Sequence, residues 1–223
     1  MITIHHLENS RSHRIIWLLE ELGADYEIAH YERDPETMLA PTSLRELHPL
    51  GKSPVITDGD TTVAESGAII EYLLDQFDDQ SLRPAPGSSA FLAYRYWMHY
   101  AEGSAMNPFL LHIVFDQLPK QGPFLAKPLL SSVTKIFNAQ YLNAEVARHL
   151  DYWESHLADQ PYFAGDDFTA ADIQMSIPLE SAKARGIDGE AYQNILGLHQ
   201  RLKEREAYQR AVERGGGLEL QAD

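Results

Sequence analysis

Cysteine is missing: none of the 223 residues carries a thiol. That excludes a disulfide framework and a cysteine nucleophile, and it is compatible with a reducing compartment. Long apolar runs are missing too. Charge interrupts each within a few residues, so no membrane-spanning segment is expected. The opening MITIHHLENS has neither the basic start nor the apolar stretch of a secretion signal, and a cytoplasmic protein is expected. Basic residues are scarce: 18 Lys plus Arg stand against 33 Asp plus Glu, a formal net charge of −15. A field of that sign repels nucleic acid and anionic membrane surfaces, so neither is expected as a partner. Metal-ligand patterns are also lacking. No His-Glu-x-x-His occurs, and the adjacent His5 and His6 fall on an expected strand, where neighbouring side chains point to opposite faces. No metal is expected.

What is present is apolar material, 44% of the residues, enough for a well-buried core in one large domain or two small ones. Residues 2–6 read as a strand. RIIWLLEEL (14–22) reads as a helix with Gly23 as its C-cap, and residues 26–30 read as a second strand. A weak helical pattern covers 36–47. TDGD separates short strands at 54–57 and 62–64, a hairpin signal, and 66–77 reads as an amphipathic helix. The order β-α-β-α-β-β-α suits a small mixed sheet with helices packed on it. DDQSLRPAPGSSA, with its Pro, Gly and Ser, reads as a linker, and everything beyond it reads as helical. The expected division is an α/β domain over 1–80, a linker over 81–88 and an all-α domain over 89–223. GGG at 215–217 reads as a flexible tail.

Two stretches carry more than secondary structure. In FTAADIQMSIPLE, Thr169 and Asp172 have capping-box spacing, and Phe168 and Ile173 have the spacing of a hydrophobic staple; this is a folding signal. In HPLGKSPVITDGDTTVAESGAI, Glu65 and Ser66 sit where a helix begins, shortly after a Ser-Pro pair. Taken alone, Glu-Ser there is an ordinary helix cap.

Four segments in order, HHLENSRSHRIIWLLEELGADYEI, HPLGKSPVI, VAESGAIIEYL and FTAADIQMSIPLE, resemble the cytosolic glutathione transferases. SRSHRIIWLLEEL and YAEGS are similar to the GTT-like branch of fungal and bacterial enzymes. The resemblance covers nearly the whole chain. It implies an α+β, thioredoxin-like first domain that binds glutathione. An all-α helical-bundle second domain would then supply most of the electrophile pocket. It also implies a cis Ser53–Pro54 bond whose serine backbone pairs with the cysteinyl unit of glutathione. Glu65 would take the γ-glutamyl ammonium. Ser66 and the helix N-terminus would take its carboxylate, and Lys52 would pair with the glycine carboxylate.

In this family the thiol donor lies between the first strand and first helix. That loop, LENSRSHR, has no Tyr or Cys and offers Asn9, Ser10 and Ser12. Counting back from Gly23 places the family's serine on Asn9, with Ser10 one place later. Ser10 is preferred, Asn9 is close behind, and the Ser10 backbone N–H is a further candidate. Ser12 reads as a helix cap, and Arg14 as a structural partner of the helix. Arg11, Tyr100 and Glu102 are candidates for the electrophile pocket. The expected activity is transfer of glutathione to small hydrophobic electrophiles, with peroxide reduction as a side activity and no cofactor beyond glutathione. A non-catalytic glutathione-binding or protein-interaction module is the alternative. A homodimer is expected from the resemblance.

Overall fold

A computed structural model of the protein describes residues 1–35, 37, 39–78, 81–187 and 189–218. The chain opens with strand β1 (Ile2–Leu7), helix α1 (Ser12–Glu21) and strand β2 (Tyr26–Tyr31). β1 and β2 are parallel, with Ile2 opposite Tyr26, so α1 is the crossover that parallel pairing requires. Strands β3 (Val55–Asp58) and β4 (Thr61–Ala64) form the expected hairpin, turning at Gly59 with φ +57°. β3 pairs antiparallel with β1, which gives the sheet order β2-β1-β3-β4. The edge strand β4 leads directly into α3 (Ser66–Phe77), and this junction builds part of the site.

The helix expected over 36–47 is reduced to α2 (Ser43–Leu47), while Glu36 and Met38 of that span lie outside the described residues. Pro41 explains the late start: it has no N–H and disfavours helical geometry in the residue before it.

The second half is helical. α4 (Ser89–Tyr100) begins at Ser88, whose hydroxyl accepts the Phe91 N–H at 3.1 Å. It passes through a π turn at Ala101–Ala105 into α5 (Met106–Gln121). α6 (Lys127–Phe137) returns, passes a second π turn at Asn138–Leu142 and continues as α7 (Asn143–Asp159). The helical reading beyond the linker is therefore met first by two long helices, each with one π turn. Such one-turn bulges recur at functional sites, and the first of these carries Glu102.

α8 (Ala170–Ala184) is the central helix, buried on nearly every side. Its capping box forms: Asp172 accepts the Thr169 N–H at 2.8 Å, and Thr169 Oγ1 accepts the Ala171 N–H at 3.3 Å. Asp172 also accepts the Phe163 N–H at 2.9 Å, which ties the loop before α8 to its first turn. Phe168 and Ile173 are both buried.

α9 (Gln193–Lys203) and α10 (Glu206–Gly215) return to the first domain. Tyr208 of α10 meets Trp17 of α1 edge to face at 5.1 Å. Glu21 pairs with Arg205 at 2.6 Å, and Glu20 with Arg210 at 2.7 Å. α1 is thus enclosed by the sheet, α8 and α10, which is why Ile15 to Leu19 are all buried. The expectation of a flexible Gly215–Gly217 tail is corrected at Gly215. This residue closes α10, and a Cβ there would lie 2.5 Å from Ile16 Cδ1, so a side chain at this position would force the buried Ile16 tip to shift.

Candidate active site

The loop between β1 and α1 makes a sharp turn at Asn9, which sits at φ +48°, a left-handed conformation that asparagine tolerates better than most residues. Asn9 is exposed, and its carbonyl accepts from Arg33 at 3.3 Å. The turn brings Ser10 inward. Ser10 Oγ donates to Ser53 Oγ at 3.3 Å and lies 2.7 Å from Ser12 Oγ. Ser53 Oγ donates in turn to the His5 carbonyl at 3.1 Å, so Ser53 is held against β1. The Ser53–Pro54 peptide is cis.

Ser12 is not the cap that the sequence suggested. It is the first residue of α1, and its buried hydroxyl lies 2.8 Å from His6 Nδ1. The cap-like contact comes from Ser10, whose hydroxyl accepts the Ser12 N–H at 3.3 Å.

The Glu65–Ser66 junction is not an ordinary cap either. Glu65 makes no side-chain capping bond and adopts φ 74°, ψ 125°. A non-glycine residue held there costs on the order of 1–3 kcal/mol, and such strain concentrates at functional sites. Ser66, buried, opens a 12-residue helix whose first N–H groups and positive dipole end favour an anion. Both residues lie at one end of a cleft of about 1080 Å³. Arg83, Pro84 and Pro86 of the interdomain connection form a second wall. Phe91, Arg95, Met98 and Glu102, one stripe of the long α4–α5 helix, form a third. Lys52 is exposed and Pro54 buried, and neither belongs to these walls.

Glu102 joins the two domains at the cleft. It accepts Arg11 Nε at 3.0 and 3.1 Å and pairs with Arg14 at 2.8 Å. Burial pushes the Glu102 carboxyl upward, but the two guanidiniums outweigh it and hold the group below the usual carboxylate value. Arg14 is fully buried, and its second arm donates to Gln174 of α8 at 2.6 Å. Burial lowers its pKa to about 10 against the opposing pull of Glu102, so it stays charged at neutral pH. Arg14, read from the sequence as a partner of its own helix, therefore links α1, the first π turn and α8.

Of the candidates for the electrophile pocket, Arg11 and Glu102 come together and Tyr100 does not join them. Two positions before Glu102 on a helix, Tyr100 points elsewhere. Its hydroxyl bonds to His149 and accepts Trp153 Nε1 at 2.9 Å, away from the cleft walls. The sequence reading named Glu102 but missed Gln174, Arg83 and the rest of the stripe that Glu102 belongs to, Phe91, Arg95 and Met98. The stripe's signal was its i, i+3, i+4 spacing, which the tyrosines of the same segment obscured.

Comparison with known proteins bears directly on this site. The family described as glutathione S-transferase, N-terminal domain, matches residues 1–75, and its C-terminal domain matches residues 135–204. Glutathione S-transferase 3 of Schizosaccharomyces pombe is 38% identical over 96% of this chain and 88% of its own length. Glutathione S-transferase 1 of Saccharomyces cerevisiae is 30% identical over 98% and 97%. The chain belongs to the glutathione S-transferase family. A glutathione S-transferase structure from Actinobacillus pleuropneumoniae is 36% identical, with a TM-score of 0.82 over 99% of this chain and 95% of that one. A sphingomonad glutathione S-transferase solved with glutathione, 24% identical with a TM-score of 0.73, shares the fold. The first domain of this transferase is accordingly thioredoxin-like and the second a helical bundle, as the sequence led one to expect. The catalytic reading is favoured over a non-catalytic module, and glutathione is the family's substrate. Among the described residues, no group of three or more His, Cys, Asp or Glu is placed to hold a metal, and no helix is long and apolar enough to cross a membrane.

Proposed function

We propose that this transferase holds glutathione between Ser53 and the Glu65–Ser66 end of the cleft, with the Ser10 hydroxyl donating to the thiolate. One observation carries the reading: Ser10 Oγ lies 3.3 Å from Ser53 Oγ, at the head of α1. A sulfur received beside Ser53 falls within reach of that hydroxyl and of the positive end of the helix. A free thiol has a pKa of roughly 8.5, and lowering it by about two units takes roughly 2.7 kcal/mol of preferential thiolate stabilisation. A directed hydroxyl and a helix N-terminus together suit that magnitude.

The γ-glutamyl carboxylate meets Ser66 and the free N–H groups of α3, its ammonium meets Glu65, and Lys52 takes the glycine carboxylate. Arg11 and Glu102 stand between the Ser10 loop and the helical domain, where a hydrophobic electrophile approaches the sulfur. Conjugation by direct attack is the main reaction, with peroxide reduction as a side activity. Neither needs a metal or redox cofactor. We infer a cytoplasmic homodimer; exposed apolar Leu92 and Tyr96 on α4 support the association and do not bear on the compartment.

The test is a thiolate titration by ultraviolet absorbance on glutathione bound to wild type, Ser10→Ala and Asn9→Ala. A depressed thiol pKa in wild type that returns toward its free value only in Ser10→Ala supports the assignment. A return only in Asn9→Ala moves the role to Asn9. An unshifted thiol in wild type overturns thiolate activation altogether.

A further inference from the structure

Ser10 does not stand alone. It begins a chain of short contacts that runs into the protein: Ser10 Oγ to Ser12 Oγ at 2.7 Å, then Ser12 Oγ to His6 Nδ1 at 2.8 Å. Ser12 and His6 are both buried, and Ser10 is the half-buried, outermost member of the chain. A hydroxyl has one hydrogen, so the direction of such a chain is set at its ends. At the outer end Ser10 must give its hydrogen to sulfur if it is to stabilise a thiolate. Its oxygen must then receive the Ser12 hydrogen, and Ser12 must receive a hydrogen from His6 Nδ1. At the inner end the backbone of Gly215 favours the protonated imidazole. The relay requires the neutral ring to carry its hydrogen on Nε2, which leaves Nδ1 as an acceptor.

We propose that His6 is the terminal acceptor of the glutathione thiol proton, reached through Ser10 and Ser12. This rests on the assignment of Ser10 as the thiolate donor. The balance is closed. In the structure Ser10 Oγ donates to Ser53 and Ser12 Oγ donates to the Leu7 carbonyl at 3.4 Å. In the starting state of the transfer the thiol S–H faces Ser10 Oγ, the Ser10 hydrogen has turned to Ser12, and the Ser12 hydrogen has turned to His6 Nδ1. The S–H bond breaks as a new O–H bond forms on Ser10. Ser10 passes its original hydrogen to Ser12, and Ser12 passes its own to Nδ1. The products are a thiolate, two reoriented hydroxyls and an imidazolium. In that state Ser10 donates to the sulfur and Ser12 donates to Ser10. One transfer therefore both removes the proton and points the hydroxyl at the thiolate. Ser10 alone touches the sulfur; Ser12 and His6 are positioning residues that act through it.

The surroundings of His6 suit a group that is neutral until the thiolate forms. Burial holds its pKa down first, and His30 of β2, edge-on at 5.6 Å, lowers it further. The backbone of Gly215 at the end of α10 and Glu8 at the end of β1 oppose them. His13 of α1 is also near enough to feel its charge. Without glutathione the balance favours the neutral ring. A thiolate two hydroxyls away adds the missing counter-charge, and thiolate and imidazolium stabilise one another as a coupled pair.

The experiment is imidazole nitrogen NMR on the full-length protein, alone, with glutathione and with S-methylglutathione, which has no thiol proton to give. Thiolate absorbance is recorded in parallel on wild type, Ser10→Ala, Ser12→Ala and His6→Asn. The expected result is an imidazolium signal at His6 with glutathione and a neutral ring with S-methylglutathione. Ser12→Ala and His6→Asn should each raise the apparent thiol pKa by about one unit or more. His6→Asn keeps an acceptor near the Nδ1 position but cannot hold a proton, so a purely structural role would leave its thiol pKa unchanged. Thiolate absorbance with a neutral His6 in wild type overturns the relay, as do unshifted values in Ser12→Ala and His6→Asn. If Ser10→Ala raises the pKa and those two variants do not, Ser10 keeps its role and the relay fails. If Ser10→Ala has no effect, the Ser10 assignment fails and the relay fails with it.

Discussion

Arg14 and Glu102 meet at 2.8 Å across 88 positions of sequence, the arginine with no exposed surface and the glutamate with about a third of its own. The asymmetry makes the two partners unequal. Removing Glu102 leaves a buried guanidinium with only the neutral Gln174 beside it. Removing Arg14 leaves a carboxylate that water and Arg11 can still reach. Breaking a buried pair from the side that strands the charge costs about 3–5 kcal/mol. Glu102→Ala should therefore lose roughly 3 kcal/mol in urea unfolding, and more than Arg14→Met. The reverse ranking would show that packing of the arginine stem, not charge, dominates this junction.

Glu65 holds φ 74° beside the proposed γ-glutamyl position. Glycine adopts that conformation freely, and its entropic cost is smaller than the steric cost of a side chain there. Glu65→Gly should raise the unfolding free energy by about 1 kcal/mol while weakening glutathione binding. Glu65→Gln, which keeps the strain and removes the charge, should weaken binding without gaining stability. Equal stability of the three proteins would mean that the strained backbone relaxes at no cost.

Ser66 and Ser10 should separate in kinetics. The Ser66 hydroxyl meets a carboxylate distant from the reacting sulfur, so it binds ground state and transition state alike. A hydrogen bond to a charged group is worth about 1.5–3 kcal/mol, roughly 10- to 100-fold in affinity. Ser66→Ala should raise KM for glutathione by about that factor and leave kcat unchanged, whereas Ser10→Ala should lower kcat. A kcat loss in Ser66→Ala would tie the helix end to the chemical step.

The hairpin at TDGD, the helix starting at Ser66 and the capping box at Thr169 were legible because each is a local signal with its own spacing. The four-segment resemblance made the family legible too. The links between distant segments were not. Nothing near Arg14 announces Glu102 or Gln174, because those contacts exist only once two helices cross. Ser12 looked like a cap because serine before a helix usually is one, and its tie to His6 depends on where β1 ends. Tyr100 was chosen for its chemistry, but helix rotation decides access and turns it inward. Gly215 looked like tail, and only the approach of α10 to α1 explains it.

The buried histidines predict how acid acts on the fold. His13 is held at about 4, below its ordinary 6.5, by burial first, with His6 and Lys203 adding to the effect and Glu180 opposing it. Its Nε2 is buried with no hydrogen-bond partner, so no acceptor receives a proton placed there. His5, His112 and His149 are lowered by burial as well. For each of these the unfolded chain takes up a proton before the folded one does. Stability is thus complete above about 6.5 and falls as the pH drops toward 4. Asp172 runs the other way. Burial raises it from 3.8 to about 6 against its three backbone partners, so across that window the folded state takes the proton first and acidification adds stability. The histidines outnumber it, so the net slope should be loss with acid. His13→Gln should flatten that slope by up to about 1.4 kcal/mol per pH unit, the equivalent of one proton. Urea unfolding of both proteins at intervals between pH 7 and 4 measures it, and parallel curves would show that His13 is protonated within the folded protein.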